Sequence, residues 1–142
     1  MKLSLLMISL SLSLSTYAQN WVYDFNEAKI LAEQENKQIL LVFSGSDWCA
    51  PCIKLDRQIW QTKVFKNHAK ENLVLLKADF PKRKKNQLPK IQQDKNKALA
   101  ETYNTKGYFP FVVLLDADGQ VMNQLGYKNL TPTKYIEAIY GQ

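Results

Sequence analysis

Three unbroken apolar runs dominate the pattern of hydrophobic and polar positions along the chain. They are residues 39–44 (ILLVFS), 73–79 (LVLLKAD) and 111–116 (FVVLLD). Such runs are typical of strands that are covered on both faces of a sheet. A fourth strand is predicted at 120–126, because the turn sequence Ala117-Asp118-Gly119 before it favours a hairpin.

The segments between these strands have helical spacing and recognisable helix starts. The helices are predicted from a cap at Asn26 to about Asn36, from near Cys49 to Trp60, from a cap at Thr62 to Ala69, from about Asp94 to Tyr103, and from Thr131-Pro132 onward. A short extended segment at residues 21–23 precedes them. Strand–helix–strand units predict parallel pairs with right-handed crossovers, and the final hairpin adds antiparallel strands. The predicted fold class is therefore α/β, with a central mixed β-sheet and helices on both faces.

The first eighteen residues have a different pattern from the rest of the chain. Lys2 supplies a positive start, residues 3–14 are apolar with interspersed serines, and small residues stand at Thr16 and Ala18. This pattern is typical of a secretory signal peptide that is cleaved before Gln19. The alternative is an uncleaved membrane anchor, for which the stretch is short and rich in serine. We expect a signal peptide at 1–18, one domain at 19–142, a periplasmic or secreted location, and no stable membrane insertion after cleavage.

The two cysteines of the chain lie together, at Cys49 and Cys52. Outside the cytosol disulfides persist, but a bridge across four residues would stabilise the fold by only about 2 kcal/mol in the chain-entropy model. The pair is therefore better placed to be a redox switch than a structural clamp. Zinc is the alternative, but a structural zinc site needs four ligands and the only histidine is His68. We expect no metal and no organic cofactor, since the electrons would reside on sulfur.

Several motifs together resemble the thioredoxin superfamily. W-C-x-P-C at residues 48–52 follows an apolar strand and opens a helix, A-x-x-Y-x-T-x-G spans residues 100–107, and Pro110 precedes FVVLLDADG. The resemblance covers roughly residues 20–142 and implies a three-layer sandwich with thiol–disulfide oxidoreductase activity. Protein disulfides or dithiols would be the substrates, and a redox partner that the sequence does not identify would exchange electrons with the site.

The chemistry of the cysteine pair also follows from its place in the sequence. Cys49 would lie at the helix start, where unpaired backbone N–H groups and the helix dipole favour a thiolate, the attacking species. Cys52 lies one turn further along the same face, so the two sulfurs can meet. Pro51 lacks an N–H, which costs nothing in the first turn. Trp48 is predicted to be a functional aromatic residue beside the sulfur, or a packing residue, or both.

The resemblance also implies a proline in cis facing the cysteine pair. Here the bond would be Phe109–Pro110, and the backbone at Phe109 would bind substrate as a short extended strand. A trans proline that only opens a strand is the alternative. The segment Gly107-Tyr108-Phe109-Pro110 has one residue more than the common G-x-P, and Phe111 replaces the usual Thr.

Proton handling differs from that of the cytosolic members of the superfamily. They carry a buried acid six residues before the first cysteine, and that position is Phe43 here. Lys77 matches the partner lysine of the superfamily. Asp47 is the nearest remaining carboxylate, which could relay protons to Cys52 or could be a solvated residue that only tunes Cys49.

The charge of the chain is concentrated in one segment. The formal net charge is +6, and residues 80–97 carry seven Lys or Arg against one Asp. A solvated loop is the simplest interpretation, and attraction of acidic partners is the functional one. Nucleic acid is not expected as a partner, because the patch is local and has no interleaved aromatic residues.

Two classes of function remain open. The first is an extracytoplasmic thiol–disulfide oxidoreductase that works as a reductase or isomerase through Cys49 and Cys52. The second is a binding or chaperone module of the same fold whose cysteines contribute little to catalysis.

Overall fold

The computed structural model describes residues 19–142, so the predicted signal peptide at 1–18 lies outside the described part of the chain. In chain order the described elements are β1 (Trp21–Val22), α1 (Phe25–Glu35), β2 (Gln38–Ser44), α2 (Ala50–Leu55), α3 (Lys63–Asn72), β3 (Leu73–Asp79), α4 (Lys90–Tyr103), β4 (Phe111–Leu115), β5 (Val121–Leu125) and α5 (Pro132–Ile139). A π-helical turn at Asp56–Trp60 extends α2, and a 3₁₀ turn at Lys84–Asn86 lies in the segment before α4.

The five strands form one mixed sheet in the order β1-β3-β2-β4-β5. β3 is parallel to both β1 and β2, and β4 is antiparallel to β2 and β5. The parallel pair β2–β3 and the antiparallel hairpin β4–β5 confirm the prediction for these strands. The unit β3–α4–β4 departs from it, because β4 runs antiparallel to β2 and so opposite to β3.

Alternate residues of the central strands feed two separate cores, one on each face of the sheet. On one face, Leu40 and Val42 pack with the residues of α2, α3 and α5, and on the other Leu41 and Phe43 pack with α1 and α4. The predicted arrangement of helices on both faces is confirmed. Within the described residues, no helix is both long and apolar enough to span a bilayer.

Two of the predicted helix starts are wrong. The cap of α1 is Asp24 rather than Asn26, because Asp24 Oδ1 accepts a hydrogen bond of 2.9 Å from the backbone N–H of Glu27. α4 begins at Lys90, four residues before the predicted start, where the Pro89 carbonyl accepts bonds from the N–H groups of Gln92 and Gln93. Its polar first turn has no apolar pattern to reveal it.

Candidate active site

The cysteine pair lies where β2 ends and α2 begins. Cys49 is the N-cap residue of α2, and its backbone N–H donates to the Gly45 carbonyl at 2.9 Å. Its sulfur accepts a hydrogen bond of 3.2 Å from the backbone N–H of Cys52. A free N–H at the start of a helix is thus directed at the Cys49 sulfur, as the motif predicts.

The two sulfurs form a disulfide, with an S–S distance of 2.09 Å and a Cα–Cα distance of 5.2 Å. The fold therefore brings together the two cysteines that the sequence predicts to meet. Each residue is only 4% exposed. Pro51 occupies the first turn of α2, where no intrahelical N–H is lost.

The indole of Trp48 covers the loop before the pair and is held from several sides. Trp48 Nε1 donates to the Phe80 carbonyl at 2.7 Å, and the ring meets the edge of Phe109 at 5.3 Å between centroids. The ammonium of Lys82 lies 3.9 Å from the centroid of the same ring. A Cβ on Gly45 would lie 2.3 Å from Trp48 Cε2, so the close approach of loop and ring requires glycine here.

The bond Phe109–Pro110 is cis, which confirms the predicted isomer. Phe109 packs between Trp48 and Phe80, and Pro110 lines a cavity together with Cys52. The substrate-binding role of these two residues stays a prediction.

The sequence analysis missed the residue that holds the loop before this proline. Asn104, 5% exposed, accepts a hydrogen bond from the Tyr108 N–H at 2.9 Å and donates to the Tyr108 carbonyl at 2.8 Å. This side chain thereby fixes the loop that is one residue longer than G-x-P. The sequence does offer a sign of this contact, because an amide residue stands directly after Tyr103 within the A-x-x-Y-x-T-x-G motif.

A cavity of about 210 Å³ lies behind Cys52. Its polar lining residues besides Cys52 are Ser44, Ser46, Asp56 and Lys77. A cavity of this size with several polar lining groups has room for water. Cys52 therefore borders a space with both a carboxylate and an ammonium, where a proton can be taken up and passed on.

Asp56 is the carboxylate of this cavity, and the sequence analysis did not single it out. It is half-buried, it follows Cys52 by one helical turn, and the side-chain amide of Gln61 lies 3.3 Å from its Oδ1. Lys77 reaches the same cavity, and its ammonium lies 4.3 Å from the centroid of the Trp21 ring. The spacing could have indicated Asp56, because residues four apart, such as Cys52 and Asp56, lie on the same face of a helix.

Phe43 points away from this cavity. Its side chain belongs to the core on the α1 and α4 face, where it packs against Phe80 and Phe111 at 6.5 and 6.3 Å between centroids. Because strand side chains alternate, the neighbours Val42 and Ser44 line the cavity instead. Counting six residues back from the first cysteine therefore leads to the wrong face of the sheet.

Asp47 belongs to the loop at residues 45–47 between β2 and the redox motif, which we call the lead-in loop, and it does not line the cavity. Its carboxylate accepts three hydrogen bonds of 2.9 Å, from the backbone N–H groups of Lys82 and Arg83 and from Asn86 Nδ2. These bonds, that of the Lys82 N–H first, hold the pKa of Asp47 below its usual range. Asp47 is thus not simply solvated, because it fastens the basic segment to the lead-in loop. A proton relay from Asp47 to Cys52 stays a prediction.

Comparisons with known proteins agree with this geometry. Residues 20–117 match the family described as thioredoxin-like. The chain is 36% identical over 115 residues to the disulfide bond reductase DsbH of Chlamydia pneumoniae, and the match covers 81% of this chain and 68% of that protein. It is 27% identical over 131 residues to the thioredoxin-related protein DsbJ of Chlamydia pneumoniae, covering 87% of this chain but 37% of the relative.

The fold shows the same likeness. A solved structure of a DsbH oxidoreductase superposes with a TM-score of 0.80 at 30% identity, covering 97% of this chain and 93% of the other. A helix-capping cysteine pair in this fold defines the class of thiol–disulfide oxidoreductases. The chain belongs to the thioredoxin-like family.

Proposed function

We propose that this protein is an extracytoplasmic reductase of protein disulfides, with Cys49 and Cys52 as its catalytic residues. The observation that carries the proposal is the Cys49–Cys52 disulfide at the start of α2, with the cis Pro110 beside it. The reducing direction is supported by the likeness to a disulfide bond reductase.

The reaction begins from the reduced pair. The thiolate of Cys49 attacks one sulfur of the client disulfide, a mixed disulfide forms, and the other client sulfur leaves as a thiolate. The N–H of Cys52 and the amino end of α2 stabilise the Cys49 thiolate that attacks. The extended client chain lies along the backbone at Phe109 and Pro110, against the ring of Trp48.

The second step releases the client. Cys52 loses its proton and attacks the Cys49 sulfur, which frees the client as a dithiol and leaves the disulfide seen in the structure. Burial disfavours a charged sulfur at Cys52, so this step needs a base. We assign that role to Asp56, acting through water in the cavity, with Lys77 as the cation that balances the charge. A redox partner then supplies two electrons and two protons to restore the dithiol.

Single-cysteine variants test the assignment. Cys52→Ala is expected to trap clients as mixed disulfides through Cys49, whereas Cys49→Ala is expected to trap none. Both should lose insulin reduction, which is measured by turbidity with dithiothreitol as the electron donor and the donor alone as the baseline. Retention of full activity by both variants would exclude the oxidoreductase and favour the alternative, a binding or chaperone module of the same fold.

Direction and location need separate measurements. Equilibration of the pair with glutathione buffers is expected to give a potential below that of the glutathione pool, since a reductase must give electrons away. A strongly oxidising potential would contradict the reducing direction. For the location, the protein isolated from cells that express the full chain is expected to begin at Gln19, and material that still begins at Met1 would contradict cleavage.

A further inference from the structure

The positive charges of the basic segment, residues 80–97, fall into two groups that differ in their partners. Three of its lysines lie on α4 and pair with carboxylates: Lys90 with Asp94, Lys95 with Asp24 at 2.6 Å, and Lys97 with Glu101 at 3.8 Å. The other four cations are Lys82, Arg83, Lys84 and Lys85, which we call the basic loop. All four are exposed, and none of them forms a salt bridge with a carboxylate within residues 19–142.

The basic loop is fastened to the rim of the active site. Asp47, two residues before Cys49, binds the backbone N–H groups of Lys82 and Arg83. Just before the loop, Asp79 accepts a hydrogen bond of 2.9 Å from the Ser46 N–H, which ties β3 to the same lead-in loop. A segment that only had to be soluble would need none of these contacts. They hold four exposed cations, none in a salt bridge within residues 19–142, at one place beside the redox pair.

That place adjoins the path of the client chain. The Lys82 ammonium stacks on Trp48, the Trp48 ring meets Phe109, and Phe109 precedes the cis Pro110. The basic loop therefore adjoins the aromatic residues beside the redox pair, whose two cysteines are themselves buried. Positive charge and aromatic area lie side by side at this place.

We propose that the basic loop binds an acidic segment of the client protein that flanks the client's disulfide. This inference rests on the proposed reductase function and adds to it the chemistry of the preferred substrate. Charge complementarity carries it: carboxylates on the client meet cations that form no salt bridge within the described residues, and the field of the loop raises the encounter rate. Attraction between exposed charges is screened by salt over about 10 Å at 0.1 M, so the preference is salt-dependent.

The test compares three disulfide-bridged peptides that differ only in the two residues beside one cysteine. These two residues are both Glu, both Gln or both Lys. Each rate of reduction by the protein is divided by the rate with dithiothreitol, a neutral reductant, because flanking charges also change the peptide's own reactivity. We expect the Glu peptide to react about tenfold faster than the Lys peptide at low salt, and less than about twofold faster at 0.5 M salt.

Matched variants assign the preference to the loop. Lys84→Gln with Lys85→Gln is expected to reduce the Glu-to-Lys rate ratio at least threefold at low salt. Lys63→Gln with Lys97→Gln removes the same charge from α3 and α4 and is expected to keep the ratio. Anionic vesicles are a further probe, which tests whether the loop binds a membrane surface instead. We expect the rates for the three peptides to differ when no vesicles are present.

The outcomes separate the two proposals. If no peptide is reduced, the reductase function itself fails. If all three are reduced with equal normalised rates, or if the loop variant keeps the full ratio, the reductase stands and the acidic-client inference is overturned. Tight binding to anionic vesicles without any peptide preference would likewise overturn it in favour of a membrane surface.

Discussion

The two cysteines of the redox pair have opposite surroundings although their sulfurs are bonded. On the Cys49 side lie the exposed indole of Trp48, the ring of Phe109 against it and the positive charges of the basic loop. On the Cys52 side lies a small cavity whose lining includes Trp60, Asp56 and Lys77. The difference fits the division of work that we propose, in which the outer side receives a client and the inner side moves a proton.

Removing the carboxylate of the inner side should have the largest effect. Asp56→Asn is expected to slow the release of the mixed disulfide at neutral pH by roughly tenfold to a hundredfold, because general base catalysis of the second step is lost. The defect should diminish at alkaline pH, where the Cys52 thiol ionises without help. Stopped-flow kinetics of client release against pH measure this.

Asp94→Asn is the matched control, since Asp94 lies exposed on α4 and pairs only with Lys90. It should leave the rate and its pH profile unchanged. If Asp56→Asn instead lowers the rate of client release equally at every pH, the role of Asp56 is purely structural.

Crowding the outer side is expected to cost stability. Gly45→Ala would place a Cβ 2.3 Å from Trp48 Cε2, so the indole must move and its bond to the Phe80 carbonyl weakens. We expect the free energy of unfolding to fall by about 1–3 kcal/mol in urea titrations. Gly126→Ala is the control, because its nearest atom would be the Pro110 carbonyl oxygen at an ordinary 3.7 Å. Equal stability of the two variants would show that the Trp48 indole is free to move.

Loosening the basic loop should have a smaller, local effect. Asp47→Ala removes the acceptor of three hydrogen bonds, so trypsin is expected to cleave after residues 82–85 several-fold faster than in the parent protein. Peptide mass mapping of a digestion time course measures this. Asp118→Ala, a change in the exposed hairpin turn, should leave the cleavage rate unchanged. Unaltered cleavage in Asp47→Ala would mean that other contacts hold the loop.

The smallest effect is that of acid on the same contacts. The folded pKa of Asp47 is lowered, so its carboxylate stabilises the loop at all pH values above the ordinary value near 3.8. This contribution is lost as the pH falls through the lowered folded pKa. The amide signals of Lys82 and Arg83 in NMR titrations should therefore shift with a midpoint below 3.8. A midpoint at or above that value would contradict the hydrogen-bonded carboxylate.

The parts of the fold that sequence predicts well are those set by local patterns. The unbroken run at 73–79 matches β3 at both ends, and the cap at Thr62 is confirmed by its hydrogen bond from the N–H three residues on. The predicted start of the last helix at Thr131-Pro132 is confirmed as well. In each case the decisive interaction lies within one turn or one strand, so the residues alone determine it.

The parts that failed depend on contacts between distant segments. Which residues of β2 face the cavity beside Cys52 depends on the register and pleat of the sheet, and counting positions led to Phe43 rather than to Val42 or Ser44. The role of Asp47 depends on a loop more than thirty residues later in the chain. No pattern local to Asp47 indicates that the chain returns there.

The most direct test of the central claim is the reactivity of Cys49 in the reduced protein. Iodoacetamide labelling at a series of pH values, followed by peptide mass analysis, gives separate rates for Cys49 and Cys52. We expect Cys49 to react at least about tenfold faster at pH 7, with a labelling midpoint below the value near 8.5 of an ordinary thiol. Equal labelling of both cysteines with an ordinary midpoint would contradict the account.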